Sequence, residues 1–110
     1  MAGSVTDVTD SEFEAQVLRS ETPVLVDFWA DWCVPCHMVS PVVEEIGRER
    51  SADLKVMKLD VDHNPETARR YQVMSIPTLI LFHGGEERAR VRGAHGKDAI
   101  LAQIEPYVPA

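Results

Sequence analysis

An α/β fold, with a central mixed β-sheet of about five strands flanked by about four helices, is predicted by three observations on this sequence. Val24-Leu25-Val26-Asp27-Phe28-Trp29 is an apolar run with one acid inside it, the pattern of a strand covered on both faces, as in a parallel sheet. Strand-like runs alternate along the chain with segments whose apolar residues recur at helical spacing, as crossover units require. Gly84-Gly85 separates two further strand-like runs and reads as a hairpin turn, so at least one pair is antiparallel. The resulting order, β-α-β-α-β-α-β-β-α, places helices on both faces of one sheet.

Taken in order, Val5 and Val8 suggest a short edge strand. Thr9-Asp10-Ser11-Glu12 has the spacing of a capping box, with Thr9 as N-cap and Glu12 at the third helical position, opening a short helix that carries Phe13, Val17 and Leu18. Pro23 closes the next turn and admits the buried strand Val24 to Trp29. Val39, Val42, Val43 and Ile46 then mark a helix expected to reach about Arg50. Pro41 inside it predicts a kink rather than a stop, because the apolar stripe continues beyond it. Leu54 to Val61 reads as a third strand. Asn64-Pro65-Glu66 supplies an N-cap, a proline at the first helical position and an early acid, so a helix is expected to about Tyr71. Thr78 to Phe82 and Glu87 to Arg92 are the hairpin strands, and a last helix from about Lys97 to Tyr107 turns Ile100, Leu101, Ile104 and Val108 inward.

The 110 residues suit a single domain spanning 1–110, long enough to bury a core. Eighteen acidic residues against eleven basic ones leave a formal charge of −7, so no basic footprint for nucleic acid or an anionic membrane is present. The first residues, Met1 to Asp7, lack the basic and apolar regions of a signal peptide, and no run reaches transmembrane length, which predicts a cytoplasmic location.

The chemistry concentrates in Trp32-Cys33-Val34-Pro35-Cys36-His37, which holds both cysteines where a strand pattern hands over to a helix. Unpaired N–H groups and the positive end of the macrodipole at a helix start favour an anion, so a thiolate forms more easily there. Cys33 is the candidate nucleophile, because its sulfur can point outward from the helix start, and Cys36, one turn deeper, the candidate resolving thiol. In a reducing compartment a C-x-x-C near a βαβ pattern reads as a redox motif. Other readings exist for the same residues. Cys33 to His37 also satisfies C-x-x-C-H, the c-type haem attachment pattern, though the alternation of strands and helices is the wrong setting for it. The cysteines with His63, His83 and His95 offer no zinc-ligand spacing, and no metal site is expected. A purely structural disulfide is the bland alternative.

Val26-Asp27-Phe28-Trp29-Ala30, Trp32-Cys33 with Pro35-Cys36, Asp62 with Asn64-Pro65, Ile76-Pro77-Thr78 and Gly93-Ala94 follow one another along the chain. In the order and spacing of these motifs, and over essentially its whole length, the chain resembles the thioredoxin family. The resemblance implies a thioredoxin fold and a general protein-disulfide reductase. It would have no bound cofactor and would be recharged by a flavin-dependent thioredoxin reductase using NADPH. Its partners would be that reductase and disulfide-containing proteins, and the chain would be a monomer.

The resemblance further implies that Asp27, a carboxylate whose burial raises its pKa, takes the proton of Cys36, and that Lys58 is its charged partner. Pro77 would be cis, leaving the backbone of Ile76 free to pair with an extended substrate. Trp32, Val34, Ile76, Pro77, Gly93 and Ala94 would surround Cys33 as the substrate groove, with glycine at 93 letting a partner backbone approach closely, whereas Trp29 reads as core. Two positions depart from the family pattern: Val34 stands where glycine is usual, and His37 where lysine or arginine is usual. A β-branched side chain beside the nucleophile predicts narrower substrate acceptance and a shifted reduction potential. His37 follows Cys33 by four residues, on the same helical face, where its charged form would favour the thiolate; otherwise it is a solvated histidine without a role. The alternative functions are a thioredoxin-like binding subunit acting independently of redox state, and an isomerase or oxidant tuned by Val34 and His37.

Overall fold

Strand β2, Val24–Trp29, lies at the centre of a five-stranded sheet, which explains why it is apolar on both faces. The computed structural model describes residues 4–109; Met1 to Gly3 and Ala110, where the signal-peptide and domain expectations begin and end, lie outside the described residues. The other strands are β1 Val5–Asp7, β3 Lys55–Asp60, β4 Thr78–His83 and β5 Glu86–Arg92, and the spatial order is β1-β3-β2-β4-β5. β1 and β2 both run parallel to β3, whereas β4 is antiparallel to β2 and to β5. The sheet is therefore mixed, as expected. Gly84 and Gly85 have φ of +65° and +81°, the left-handed conformations that a two-residue hairpin turn demands.

Side chains alternate across β2, so Val24, Val26 and Phe28 join one core cluster and Leu25 another. The first cluster is closed by Phe13, Val17 and Ala68, with Phe13 edge-on to Phe82 at 5.3 Å between centroids. The second is closed by α1, Val34–Glu49, through Val39, Val43 and Ile46, and by α3, Lys97–Ile104, through Ile100 and Ile104. By the same alternation Asp27 points to the α1 side of the sheet. α1 continues unbroken past Pro41.

The ends of elements depart from the sequence reading. The segment after Thr9 is one 3₁₀ turn, Asp10–Glu12, followed by a widened turn, Glu14–Leu18, in which Arg19 N–H reaches the Glu14 carbonyl at 2.9 Å. Glu12 does accept from the Thr9 N–H, at 3.2 Å. The last helix ends at Ile104 and passes into a 3₁₀ turn, Glu105–Tyr107, that contains Pro106.

Asn64 does not cap α2, Pro65–Arg70, with its side chain. Its carbonyl oxygen accepts from Asp10 N–H at 2.9 Å and its amide donates to the Asp60 carbonyl at 3.1 Å, tying two loops together. The cap comes from Asp10, whose carboxylate accepts from the N–H groups of Glu66 at 3.1 Å and Thr67 at 2.9 Å and from the Thr67 hydroxyl at 2.6 Å. Partial burial opposes ionisation of Asp10, but the hydrogen bonds from Thr67 and Glu66 prevail and hold its carboxyl below the usual carboxylate range.

Candidate functional site

β2 delivers the chain through buried Ala30 to a turn at Asp31 and Trp32, and α1 starts with Cys33 as its N-cap. Pro35 occupies the first turn, where a missing N–H costs nothing. Cys33 and Cys36 form a disulfide with 5.2 Å between their Cα atoms. The pairing engages both sulfurs that a haem attachment would need. Cys36 N–H points at Cys33 Sγ, 3.2 Å away, so the orphan donor of the first helical turn is aimed where a thiolate charge would develop.

Both cysteines are nearly covered, Cys33 at 3% exposed and Cys36 at 2%. Cys33 is thus less open than its place at the helix start suggests, because Ile76, Trp29 and Val61 pack against the pair. The two sulfurs face different surroundings. Cys33 Sγ lies 3.7 Å from the Ile76 carbonyl oxygen, whereas Cys36 lines a small cavity of about 140 Å³ together with Asp27, Trp29, Asp31, His37, Ser40 and Lys58.

Asp27 sits opposite Lys58 in the parallel β2–β3 register and is 3% exposed. Among the described residues its Oδ1 has no hydrogen-bond partner. Burial, only partly offset by the positive charge of Lys58, pushes the Asp27 carboxyl up to about 7. The Lys58 ammonium lies 4.8 Å from the centroid of the Trp29 ring. Trp29 is accordingly half-buried against the cysteine pair, less enclosed than a core residue, and among the described residues its indole N–H has no partner.

The Ile76–Pro77 peptide is cis. Gly93 donates its N–H to the Pro77 carbonyl at 2.8 Å and has φ of +90°, a backbone conformation that calls for glycine. Trp32 is 68% exposed, and its indole N–H donates to Asp62 Oδ2 at 2.9 Å, which fixes the ring beside the disulfide. Val34 is exposed on the first turn of α1. Of the six groove candidates, Ile76 packs against the disulfide, Trp32 and Val34 are exposed on either side of Cys33 in the chain, Ala94 is exposed, and Pro77, tied to Gly93, is buried.

His37 is exposed, and its ring is anchored: its Nε2 lies 2.7 Å from the Asp31 carbonyl oxygen, and its ring meets Trp29 edge-on at 6.2 Å. Two exposed methionines escaped the sequence reading. Met38 extends the apolar face of Trp32 and Val34, and Met74, 91% exposed, stands just before Ile76. Their signal was an apolar side chain with no place in the core periodicity. Among the described residues no group of three or more His, Cys, Asp or Glu is placed to hold a metal, and no helix is long and apolar enough to cross a membrane.

The family model described as Thioredoxin matches residues 4–106. A thioredoxin of Mycobacterium tuberculosis (strain ATCC 25618 / H37Rv) is 61% identical over 102 residues, covering 93% of this chain and 88% of that protein. A thioredoxin of Synechocystis sp. is 50% identical over 101 residues, 92% of this chain and 94% of that protein. The bifunctional thioredoxin reductase/thioredoxin of Mycobacterium leprae is 57% identical over 108 residues, 98% of this chain and 24% of that protein.

Proposed function

The chain belongs to the thioredoxin family and is a thiol-disulfide oxidoreductase, and from that premise we propose how its residues divide the reaction. Cys33, as thiolate, attacks one sulfur of a substrate disulfide. The substrate S–S bond breaks, a mixed disulfide forms at Cys33, and the substrate's other sulfur leaves and takes up a proton. Cys36 then gives its proton to the Asp27 carboxylate and attacks Cys33 Sγ, expelling the second substrate sulfur. Two electrons have passed to the substrate, and Cys33–Cys36 is left as the disulfide.

What supports this division is that Asp27 and Cys36 line one cavity while Cys33 faces Ile76 on the other side. A carboxyl at about 7 can accept a proton and return it near neutral pH. Lys58, by opposing the effect of burial, keeps that carboxyl ionisable. On the substrate side, an extended segment pairs with the backbone of Ile76 and lies on Trp32, Val34, Pro77, Gly93 and Ala94.

The dithiol carries the electrons itself, so no cofactor bound to this chain is needed. Electrons come from NADPH through a flavin-dependent thioredoxin reductase; the M. leprae relative, named for both activities, favours that pairing. Residues 1–110 act as one monomeric domain, and the cytoplasm, where thiols are kept reduced, is the compartment that suits it. The direct test is trapping. Cys36→Ser is expected to accumulate a mixed disulfide with a disulfide peptide, read by mass spectrometry under non-reducing conditions, and Cys33→Ser is not. Trapping by Cys33→Ser alone would reverse the assignment, and failure of a redox role altogether would leave binding of partners intact in both variants.

A further inference from the structure

The Pro77 side of the groove carries a charge that the exchange reaction does not use. β5 forms one edge of the sheet, and its residue Arg92 pairs in register with Thr78, immediately after Pro77. The backbone there is tied down twice: Gly93 N–H donates to the Pro77 carbonyl at 2.8 Å, and His95 Nε2 lies 2.8 Å from the Arg92 carbonyl oxygen. Arg92 is exposed and shares with Met74, Gln72, Glu87 and Arg90 the lining of an open depression of about 670 Å³.

The two arginines in this depression differ. Arg90 is committed, donating to both Glu87 carboxylate oxygens at 2.8 Å and to the carbonyls of Tyr71 at 2.7 Å and Gln72 at 3.3 Å. The Arg92 guanidinium has no ion pair among the described residues. The opposite flank is acidic: Asp31 is exposed beside Trp32, and Asp62 holds the Trp32 indole. In a chain of formal charge −7, the groove thus has acids on its Trp32 side and one uncommitted cation on its Met74 side.

We infer that Arg92, with Met74 beside it, is a specificity-determining residue that selects disulfide-containing protein segments presenting a carboxylate on the Pro77 side of the groove. The inference rests on the disulfide-reductase reading. A guanidinium fits a carboxylate through two parallel N–H donors, and the exposed thioether of Met74 adapts to an apolar neighbour of that carboxylate. A segment docked the other way round sets its carboxylate against Asp31 and Asp62, so the unequal flanks also fix direction.

The test uses the full chain in its reduced form and peptides closed by one disulfide, in which a single Gln outside the ring is replaced by Glu or by Lys at successive positions. At low ionic strength wild type is expected to favour Glu over Lys on one side of the disulfide by about two- to fivefold in kcat/KM, the range an exposed ion pair supplies. Arg92→Gln should bring the ratio near one, Arg92→Glu should invert it, and Arg92→Lys should restore much of it. Added salt should shrink the preference. A Glu-to-Lys ratio that is the same in wild type and Arg92→Glu at every position overturns the inference. Reduction of neutral hydroxyethyl disulfide by wild type separates the two levels: if it occurs and the ratios do not respond, only the role of Arg92 fails, and if it does not occur, the reductase reading fails and the inference falls with it.

Discussion

Asp27 and Lys58 occupy one register position on neighbouring parallel strands, yet the Lys58 ammonium rests 4.8 Å from the centroid of the Trp29 ring and Asp27 Oδ1 has no hydrogen-bond partner among the described residues. Burial therefore dominates, Lys58 offsets only part of it, and the carboxyl is pushed up to about 7. An acid so placed is costly to the fold when ionised, and the same burial is what brings its titration into the range the proposed base needs.

The folded-state value of Asp27 lies above that of an unfolded aspartate, so between about pH 4 and pH 7 the folded protein binds more protons at this site than the unfolded chain. Stability from this group is full below the unfolded value and falls as pH rises through the folded one. Asp27→Asn is expected to be more stable than wild type at pH 8, with ~4 kcal/mol as the ceiling set by the shift, and to lose that advantage by about pH 4. Guanidinium unfolding of the oxidised forms at the two pH values measures the difference.

Removing the positive charge of Lys58 removes an influence that lowers the Asp27 pKa. In Lys58→Met the carboxyl should titrate above its wild-type value, followed by carboxyl ¹³C NMR. An unchanged midpoint would mean that Lys58 does not act on Asp27.

Asp10 caps α2 from a distant segment, and its loss should be felt as a lost cap rather than as a lost surface charge. Asp10→Ala is expected to cost about 1–2 kcal/mol in denaturant unfolding at pH 7. Because the folded-state value of Asp10 is depressed, its contribution is present above the usual carboxylate range and is lost as pH falls through the folded value. The deficit of Asp10→Ala should therefore narrow in acid.

Val34 is exposed beside the disulfide, so replacing it leaves the core packing alone and is expected to change what the proposed groove admits. Val34→Gly is expected to raise kcat/KM for bulky protein disulfides by about fivefold, the factor ~1 kcal/mol of relieved crowding supplies. A small disulfide should respond less, and equal responses would remove Val34 from substrate selection.

The parts legible in the sequence are those written in local spacing. The apolar run 24–29 marked the central strand, the two glycines at 84 and 85 marked the hairpin, and Cys33 with Cys36 marked the helix start. Contacts between distant segments left no such trace. Asn64 has every local mark of a cap, but Asp10 takes the place because the turn at 10–12 packs against the start of α2. His37 shares a helical face with Cys33, yet the Asp31 carbonyl, fixed by the turn before the helix, captures its ring. The near-burial of Cys33 follows from the loop carrying Ile76, which meets it only in three dimensions.

The most direct measurement is the rate at which a preformed mixed disulfide between Cys33 and a peptide is resolved by Cys36, followed against pH in wild type and in Asp27→Asn. Wild type should show a rate that climbs through an inflection near pH 7, where the Asp27 carboxyl gains its charge, and Asp27→Asn should lose that inflection and run at least ~100-fold slower at neutral pH, the lower end of what a positioned base contributes. Superimposable profiles would contradict the assignment of Asp27 as the base that activates Cys36.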